Sequence, residues 1–502
     1  MNPIKIVKRE AVFIPIKQLP TVLIPHIQEK LTFRFYTEKS CAQCENLIDR
    51  FNDICENCAA YVAGYDLASK VKVGANKYLK IPVGSSPTII DYLESKGIKT
   101  NIVDKSPTTK IKPVNFTGTL KPEQEVAVNT LFRKKRGILK APPRSGKTVM
   151  STALACKVGM KVLIIASQRD WLMGFQETFI GSKTQKPLTD LDPSRIKLCK
   201  TLEDFKSHDI CLATIQTFYS EKGQAILAKI RDMFPVIFMD EVHTSAADKY
   251  IKIVSKLNAD YCIGLSGTPS RKDGKFTLVD NIVGPLAHEV RVDSMRPRIQ
   301  LVKTQYQKEY KGNVPWVRMV SSIENDDKRL KLIADWVIKD VANGHMVLIP
   351  MAQVKPIAKL VDIINKKAGY KLAFPFTGSL KKEVRDETIQ KAREYKIKVL
   401  VGTAKILSTG INIPRASCIF EQVLSSNLEN CQQRVARVLT LMEDKPQPVI
   451  RIFLDAMNVR KNCLANEYHR VIKPKFKPVI SEKDEIALNG YFKAKQQARF
   501  EI

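Results

Sequence analysis

No stretch of this sequence approaches the ~18 uninterrupted apolar residues that a membrane-spanning helix requires. The N-terminal region mixes apolar residues with lysine and arginine and is broken by Pro15 and Pro20, so it lacks the apolar segment of a signal peptide. No repeat with a period of about 20–50 residues is present, which argues against a solenoid. We therefore expect a cytoplasmic or nuclear protein of about three domains, since ~150 residues is a typical domain size.

Acidic residues are scarce relative to basic ones. The 502 residues include 82 Lys and Arg against 51 Asp and Glu, a formal net charge of +31. Such a surplus favours a polyanionic partner, whose condensed counterions are released when lysine and arginine neutralise its phosphates. The alternative is a basic surface without a partner. We infer that the chain binds nucleic acid.

Most of the 11 cysteines are scattered, which suggests a reducing compartment rather than a disulfide framework. Four of them form the segment CAQCENLIDRFNDICENC, at Cys41, Cys44, Cys55 and Cys58. The spacing C-x2-C-x10-C-x2-C suits a tetrahedral Zn²⁺ site, with an iron–sulfur centre and free thiols or disulfides as alternatives. Four thiolates leave zinc no open position, so we expect a structural site. Whether it contacts DNA is left open.

The pattern of apolar runs divides the chain. Residues 1–115 predict an N-terminal α+β accessory domain, with AVFIPI, TVLIP and LTFRFYT read as strands and YLKIPVGSSPTIIDYLESKGI as strand, turn and helix. The polar segment 103–115 predicts a linker. Short apolar runs then alternate with amphipathic stretches, which predicts α/β domains at 116–295 and 296–460. The basic stretch VDSMRPRIQLVKTQ interrupts the series of strands, and 461–502 reads as a basic tail.

The segment APPRSGKT lies between an apolar run and a helical stretch, where a phosphate-binding loop belongs. Lys147 would reach the β- and γ-phosphates, and Thr148 would ligate Mg²⁺. The rest of the predicted loop departs from the usual glycine pattern, and it consists of Ala141, Pro142, Pro143, Arg144, Ser145 and Gly146.

An acidic pair follows an apolar strand in PVIFMDEVH. Asp240 at the carboxyl end of that strand can hold Mg²⁺ through water, and Glu241 can orient and deprotonate the attacking water. A carboxylate pair at a strand end is often only a solvated turn. After a GKT segment earlier in the same domain, it instead predicts an ATP-hydrolysing site.

The ordered motifs from 116 to 456 resemble those of superfamily 2 DNA helicases, and most closely the Rad25/Ssl2-like and phage UvsW-like branch of branch-migration helicases. The matching segments are LKPEQ, APPRSGKT, ASQRDW, TIQTF, DEVH, SGTPSRKDGK, FTGSLKKEVRDETI, GTAKILSTGINIP and QQRVARVLT. The resemblance implies two tandem RecA-like parallel-sheet domains, in addition to the accessory domain with its zinc knuckle. ATP would bind in the cleft between the two tandem domains.

The resemblance also implies residue roles. Gln124 would read adenine, and Gly410 would line the nucleotide site. Coupling of the nucleotide to the nucleic acid would involve His243, Ser266 and Thr268. Contacts to one nucleic-acid strand would come from Gln168, Arg169, Thr214, Gln216, Thr377, Gly378 and Thr403. Catalysis would also use Gln433 and Arg437.

The chain departs from the family pattern at a few positions. Thr440 replaces the second arginine of the last motif, so Arg437 carries the finger role, while Arg434 would assist or be a surface charge. Asn412 stands where an aspartate is common. An alanine such as Ala141 is frequent at the first loop position in this family. The remaining anomaly is Arg144, whose side chain we expect to point away from the nucleotide, so that Arg144→Gly preserves ATP binding.

Together these features predict an ATP-dependent DNA helicase or translocase that remodels forks, Holliday junctions and displacement loops in replication, recombination or repair. The expected cofactors are ATP, Mg²⁺ and Zn²⁺. The expected partners are single-stranded and branched DNA, together with replication or recombination proteins. We expect a monomer in the cytoplasm, which is the host cytoplasm for a phage protein. The alternatives are an RNA helicase or transcription-complex translocase, and a non-enzymatic zinc-bearing nucleic-acid-binding protein.

Overall fold

The chain folds into two compact units, Met1–Val292 and Asp293–Ile502, in a computed structural model. The structure describes residues 3–36, 61–142, 145–182, 185–242, 247–267, 276–291, 294–308, 310, 314–409, 413–422 and 428–493. Among these described residues, no helix is long and apolar enough to cross a membrane.

The first unit begins with a small α+β domain. Its elements are β1 (Ile4–Lys8), β2 (Val12–Pro15), α1 (Leu23–Lys30), β3 (Thr32–Tyr36), β4 (Tyr61–Asp66), β5 (Ser69–Val73), β6 (Asn76–Ile81), α2 (Ser86–Ser95) and β7 (Thr100–Asp104). Five strands form a sheet in the order β5-β6-β2-β1-β7, and β3 pairs with β4 in a separate hairpin. Apolar residues of α1 and α2 share one core with β1, β2 and β6.

The prediction for this domain was wrong at TVLIP, which is helical from Leu23 onward. Leu23, Ile24 and Ile27 are buried, so the apolar run supplies one face of a helix rather than a strand. Pro25 falls in the first turn of α1, where a missing backbone N–H costs no helical hydrogen bond. The strand, turn and helix expected for YLKIPVGSSPTIIDYLESKGI are confirmed as β6 and α2.

The larger part of the first unit is a RecA-like domain. Its helices are α3 (Pro122–Lys134), α4 (Lys147–Val158), α5 (Arg169–Ile180), α6 (Leu202–Ser207), α7 (Glu221–Lys229), α8 (Ala247–Val254) and α9 (Phe276–Val283). Its strands are β8 (Arg136–Lys140), β9 (Val162–Ala166), β10 (Ile196–Leu198), β11 (Ile210–Thr214), β12 (Val236–Met239), β13 (Tyr261–Ser266) and β14 (Leu286–Glu289).

These seven strands form one parallel sheet in the order β10-β11-β9-β12-β13-β8-β14. All residues of β9, β12 and β13 are buried, as expected for central strands with helices on both faces. Because the strands are parallel, the segments that follow β8, β9, β11, β12 and β13 emerge at one edge of the sheet. Every predicted motif of this domain follows one of these strands, apart from the segment around Gln124.

The second unit is also RecA-like. Its strands are β15 (Arg298–Gln307), β16 (Val347–Met351), β17 (Ala373–Phe376), β18 (Val399–Thr403), β19 (Cys418–Glu421) and β20 (Val449–Ala456). Its helices are α10 (Trp316–Glu324), α11 (Asp327–Ala342), α12 (Lys355–Ala368), α13 (Lys382–Arg393), α14 (Ala404–Thr409), α15 (Leu428–Ala436), α16 (Asn458–Glu467), α17 (Lys473–Phe476) and α18 (Glu482–Lys493).

The parallel sheet of the second unit has the order β15-β20-β19-β16-β18-β17. The basic stretch that interrupts the predicted strand series is itself part of this sheet, which corrects the prediction. It contributes β15, an edge strand that pairs with β20 through Arg298–Val449 and following residues. Its alternating charged residues hid the strand pattern, because an edge strand of this kind is only partly buried.

The segment after 460 is mostly helical through Lys493, with a non-helical stretch at 477–481 in which Val479 forms a β-bridge with Arg298. A π-helical turn, Tyr468–Ile472, joins α16 to α17, and α18 packs back on the domain. Leu464, Val471 and Leu488 lie in the apolar core of the second unit. The last described helices are therefore part of the second RecA-like domain.

Candidate functional site

The phosphate loop leaves β8 at the carboxyl edge of the sheet. The backbone N–H of Ala141 donates to the carbonyl of Ser266 at 2.8 Å, which ties the loop to the end of β13. Gly146 then adopts a left-handed conformation, with φ of 83°, and α4 begins at Lys147. Pro143 and Arg144 lie outside the described residues, so the outward orientation of the arginine stays a prediction.

Gln124, in the first turn of α3, forms a hydrogen bond with this loop. Its Nε2 donates to the carbonyl of Ser145 at 2.9 Å, and its Oε1 accepts from the backbone N–H of Lys121 at 2.9 Å. A Cβ atom at Gly146 would lie 2.4 Å from Gln124 Nε2, so the glutamine amide would have to move, and the φ of 83° is itself unfavourable for a residue with a side chain. Gln124 thus has a positioning role that sequence reasoning missed. Its contact with adenine stays a prediction.

The loop has the features of a phosphate site. The hydroxyl of Ser145 is buried and has no hydrogen-bond partner among the described residues. The first helical bond of α4 is donated by Met150 to Gly146, which leaves the N–H groups of the first turn outside the helical ladder. Donors at a helix N-terminus favour an anion. The residues present therefore fit a nucleotide phosphate.

Lys147 and Glu241 meet directly. The Nζ of Lys147 donates to Oε1 of Glu241, across the edge formed by β8, β13 and β12. Both side chains are mostly buried, with 14% and 18% of their surface exposed. The residue predicted to hold the phosphates and the residue predicted to activate water are therefore direct partners.

The acidic pair sits in a strained turn after β12. Glu241 has φ of 51°, a left-handed conformation that is uncommon for a residue other than glycine. Its backbone N–H donates to Oδ1 of Asp240 at 3.1 Å, and the Asp240 carbonyl accepts from the Tyr250 hydroxyl at 2.8 Å. Burial raises the pKa of Tyr250 well above its usual value, so this donor keeps its proton. Strain of this kind is typical of functional turns.

Thr148 and Asp240 fit a magnesium ion by the chemistry of their donor atoms. Mg²⁺ prefers oxygen ligands, and hydroxyl and carboxylate oxygens are typical ones. Thr148 lies in the first turn of α4 and Asp240 directly follows β12. Both positions are at the same sheet edge as the Lys147–Glu241 pair.

The predicted coupling residues are only partly within the described chain. Ser266 ends β13 and is fully buried, and its carbonyl holds the start of the phosphate loop. A change at the end of β13 would therefore be transmitted to the loop through a backbone bond. His243 and Thr268 lie outside the described residues.

The predicted nucleic-acid residues of the first unit are brought together. Thr214 at the end of β11 pairs in register with Ala166 at the end of β9. The Nε2 of Gln216 donates to the carbonyl of Ser167 at 3.1 Å, beside Gln168 and Arg169 at the start of α5. Gln168, Arg169 and Gln216 are exposed. They form one polar surface beside the ATP motifs.

Corresponding residues of the second unit also cluster. Phe376 pairs with Gly402, so Thr377 and Thr403 follow neighbouring strand ends. Thr377 is buried and shares a 2.8 Å hydrogen bond with the Ser379 hydroxyl, whereas Gly378 is exposed. Gly410 and Asn412 lie outside the described residues.

The last motif lies on and just after α15. Gln433 is on the helix, and Arg437 follows its last residue with part of its surface exposed. Arg434 was expected either to assist catalysis or to be a surface charge, and the surface-charge alternative is wrong because the residue is buried. It is 1% exposed and pairs with Glu421 at 2.7 Å and Glu467 at 3.1 Å.

One residue near this motif escaped sequence reasoning. The Lys445 ammonium donates to the carbonyl of Thr440 and to that of Pro414, each at 3.0 Å. These carbonyls belong to the last residues of two of the three predicted motifs of the second unit, GTAKILSTGINIP and QQRVARVLT. Nothing in the sequence signals the contact, because backbone carbonyls are present at every position.

The predicted zinc ligands Cys41, Cys44, Cys55 and Cys58 lie outside the described residues. Within the part of the chain that the structure does describe, no group of three or more His, Cys, Asp or Glu residues could hold a metal ion. The zinc site stays a prediction.

Comparisons with known proteins agree with this geometry. Residues 117–271 match the family described as type III restriction enzyme, res subunit, and residues 328–440 match the helicase conserved C-terminal domain. The first match contains the phosphate loop and the acidic pair. The second contains all three predicted motifs of the second unit.

Individual relatives span most of the chain. The probable helicase D10 of Escherichia phage T5 is 25% identical over 375 residues, covering 72% of this chain and 77% of the phage protein. The DNA 3'-5' translocase XPB2 of Sulfurisphaera tokodaii is 22% identical over 394 residues, covering 71% of this chain and 85% of the translocase. The crystal structure of T4 UvsW is similar with a TM-score of 0.39 and 17% identity, over 95% of this chain and 99% of that one.

Proposed function

We propose that this chain, which is a superfamily 2 helicase, uses ATP hydrolysis to move along DNA and to remodel branched DNA. The proposed substrates are replication forks, Holliday junctions and displacement loops, in replication, recombination or repair.

The Lys147–Glu241 contact is the observation that carries the enzymatic part of the proposal. It joins the phosphate loop to the acidic pair at one strand edge. In a protein without motor activity, neither the Lys147–Glu241 pair nor the glycine at position 146 of the neighbouring loop would be required. The non-enzymatic alternative is correspondingly less favoured.

The chain's own residues suggest the order of events. An arriving nucleotide offers its phosphates to the first turn of α4 and to Lys147, which then leaves Glu241. Glu241 is thereby released to orient a water molecule and accept its proton. A magnesium ion bound by Thr148 and Asp240 would neutralise charge on the phosphates. Arg437 is proposed to stabilise charge on the transferred phosphoryl group.

Several features support DNA as the track. The net charge of +31 favours a polyanion. Exposed polar residues at the ends of β9 and β11 can bind a phosphate backbone without reading bases. One relative carries the name of a DNA translocase, and we extend that substrate to this chain as part of the proposal.

The enzymatic part is tested by Lys147→Ala. We expect DNA-stimulated ATP hydrolysis to fall to background, because phosphate binding and the pairing of Glu241 are both lost. Lys157→Ala is the matched control, since Lys157 lies in the last turn of the same helix, where its ammonium donates to Asn129 and lies 4.9 Å from the centre of the Phe132 ring. Unchanged hydrolysis in Lys147→Ala would rule out the proposed site.

The substrate is tested by a panel of single-stranded DNA, forked DNA, a Holliday junction, a simple partial duplex and an RNA duplex. ATP turnover would be measured with each nucleic acid, and strand rearrangement would be measured with and without ATP. We expect the strongest stimulation and rearrangement with the fork and the Holliday junction. A preference for the RNA duplex would favour the RNA-helicase alternative instead.

A further inference from the structure

One face of the N-terminal sheet is not explained by the motor. Side chains alternate between the two faces of each strand. Ile4 and Ile6 of β1, Ile14 of β2 and Leu79 of β6 point into the core with α1 and α2. The residues between them therefore point to the opposite face. We name this the lysine–aromatic face, and it consists of Lys5, Val7, Phe13, Pro15, Val71, Tyr78 and Lys80.

Two aromatic rings lie in the interior strands of this face. Phe13 on β2 and Tyr78 on β6 pack edge to face, with ring centroids 6.3 Å apart. Phe13 lies directly across from Lys80, and Tyr78 lies between Pro15 and Val71 of the two flanking strands. Both rings keep part of their surface exposed, and Lys5 on β1 is exposed.

The charged residues of this face have one sign. The strands β1, β2, β5 and β6 contain no aspartate or glutamate, and Asp104 of β7 pairs with Lys8 on the face that carries Ile4 and Ile6. The exposed Lys70, Lys72 and Lys77 of the neighbouring hairpin also alternate onto that other face, with Leu79. Lys5 and Lys80 therefore lie on a face to which the five described strands of the sheet contribute no carboxylate, and this favours a bound anion.

The need to prevent association of the sheet edge with other sheets does not explain the residues of the lysine–aromatic face. Lysines on an edge strand prevent association with other sheets, and this accounts for Lys70 and Lys72 on β5. It does not account for Phe13 and Tyr78, since β2 is the central strand and β6 is not at the edge. Aromatic rings between lysines on an open sheet are instead typical of proteins that bind single strands by stacking bases.

We propose that the lysine–aromatic face binds single-stranded DNA, with bases stacked on Phe13 and Tyr78 and phosphates beside Lys5 and Lys80. The proposal rests on DNA being the substrate of the motor. A duplex hides the faces of its bases, so it would contact only the lysines. The face would thus hold a displaced strand beside the motor.

The first test is the double variant Phe13→Ala/Tyr78→Ala in the full chain. Affinity for a single-stranded oligothymidine would be measured by fluorescence anisotropy without nucleotide. We expect a loss of about 5- to 150-fold for each stacked base, with duplex affinity and DNA-independent ATP hydrolysis unchanged. The ring-swapping variant Phe13→Tyr/Tyr78→Phe keeps both stacking surfaces and should bind like the unmodified chain, which separates stacking from misfolding.

The second test is the salt dependence of Lys5→Ala/Lys80→Ala. The slope of log affinity against log salt should fall in magnitude by about 1.4 on a single strand, because each lost phosphate contact contributes ~0.7. Lys72→Ala/Lys77→Ala is the matched control, since both of its lysines are exposed on the same sheet but alternate onto the opposite face.

Unchanged single-strand affinity in the aromatic variant would overturn the inference, and so would an equal loss on duplex DNA. Tighter binding of an RNA oligomer of the same length by the unmodified chain would contradict the assignment to DNA. If DNA fails to stimulate ATP hydrolysis by the unmodified chain, the proposed function itself fails. If DNA stimulates hydrolysis while the aromatic variant binds normally, only the lysine–aromatic face is refuted.

Discussion

At the scale of single residues, two glycines at the ends of α4 differ in their surroundings. Gly146 precedes the helix with φ of 83°, and Gly159 follows it with φ of 64°. A Cβ atom at Gly146 would meet the Gln124 amide, whereas at Gly159 nothing lies within 4 Å. Replacement by alanine therefore tests the support of the phosphate loop at Gly146, whereas at Gly159 it introduces only backbone strain.

We expect Gly146→Ala to weaken ATP binding at least ~10-fold, because the new methyl group displaces the Gln124 amide that supports the loop through Ser145, and the left-handed conformation costs about 1–3 kcal/mol in a residue with a side chain. Gly159→Ala should lower thermal stability slightly and leave ATP affinity unchanged. Titration with a fluorescent ATP analogue would measure both. Equal ATP affinity in the two variants would contradict the role given to the loop.

Lys445 is a residue whose importance follows from structure alone. It bonds the carbonyls of Pro414 and Thr440 and so fixes the segment that follows Arg437. We expect Lys445→Met to reduce the turnover number for ATP about 10-fold with little change in KM, since a displacement of about 1 Å is costly in a catalytic group.

Lys445→Arg should retain most of this turnover, because a guanidinium can donate to both carbonyls. Lys396→Met, at an exposed surface ion pair, serves as the control. The positioning role of Lys445 would be refuted if Lys445→Met and Lys445→Arg were both as active as the unmodified chain in steady-state assays.

At the scale of elements, a buried ionic cluster joins β19, α15 and α16. Arg434 and Arg460 are paired with Glu421 and Glu467, and all four are at most 1% exposed. Burial, together with the neighbouring Glu421 carboxylate, raises the pKa of Glu467 to about 8. The last motif is thus anchored to the C-terminal helices by charges that water does not reach.

This cluster predicts a pH dependence of stability. An unfolded chain releases the Glu467 proton near the ordinary pKa of 4.5, whereas the folded chain keeps it to about 8. The unfolded state therefore binds fewer protons in this window, and stability should fall as pH rises from about 4.5 to 8.

Glu467→Gln mimics the protonated carboxyl, so we expect it to flatten the decline of Tm between pH 5 and 8 by several degrees. Glu482→Gln, at an exposed position in α18, should leave the decline unchanged. Thermal unfolding at a series of pH values makes the comparison. If Tm fell equally with pH in both variants, the pH dependence of stability would have to come from groups other than Glu467.

Sequence reasoning succeeded where strands are buried on both faces. The runs that became β9, β12, β13 and β16 are continuous apolar stretches, since helices cover both sides of a parallel sheet. It failed for β15, where a half-exposed edge strand carries charges, and for α1, where adjacent apolar residues fit a helix face equally well. Short apolar runs do not distinguish these cases.

The candidate site was predictable in its residue types but not in its contacts. The motifs identified Lys147 and Glu241, and parallel strands bring such segments to one edge. Their direct pairing, the support of Gly146 by Gln124 and the contacts of Lys445 depend on side-chain positions in three dimensions. Contacts to backbone carbonyls leave no trace in residue identity, so no pattern could have indicated them.

At the scale of the whole molecule, the N-terminal domain is packed on the first RecA-like domain. Lys8 and Lys135 both approach Asp260, at 3.7 Å and 2.8 Å, and the Asn258 amide donates to the carbonyl of Lys105. A Cβ atom at Gly84 would lie 2.6 Å from the carbonyl oxygen of Asn281. The two domains are therefore in direct backbone contact within the first unit.

We expect Gly84→Ala to force these backbones apart at a cost of roughly 1–3 kcal/mol, as overpacking generally does. The N-terminal domain should then be cut more rapidly by protease near the segment that follows β7. Gly174→Ala, where nothing lies within 4 Å, is the control. If both variants were cut at the same rate, the packing of the N-terminal domain on the first RecA-like domain would not depend on the contact between Gly84 and Asn281.

The pairing of Lys147 with Glu241 has a consequence for inhibitor discovery. A compound that binds at this ion pair meets a lysine already neutralised by a carboxylate, so a simple anion gains little from charge and must first separate the pair. A zwitterion, with an acidic group for Lys147 and a basic group for Glu241, could engage both partners at once. Screening libraries chosen only as phosphate mimics would overlook such compounds.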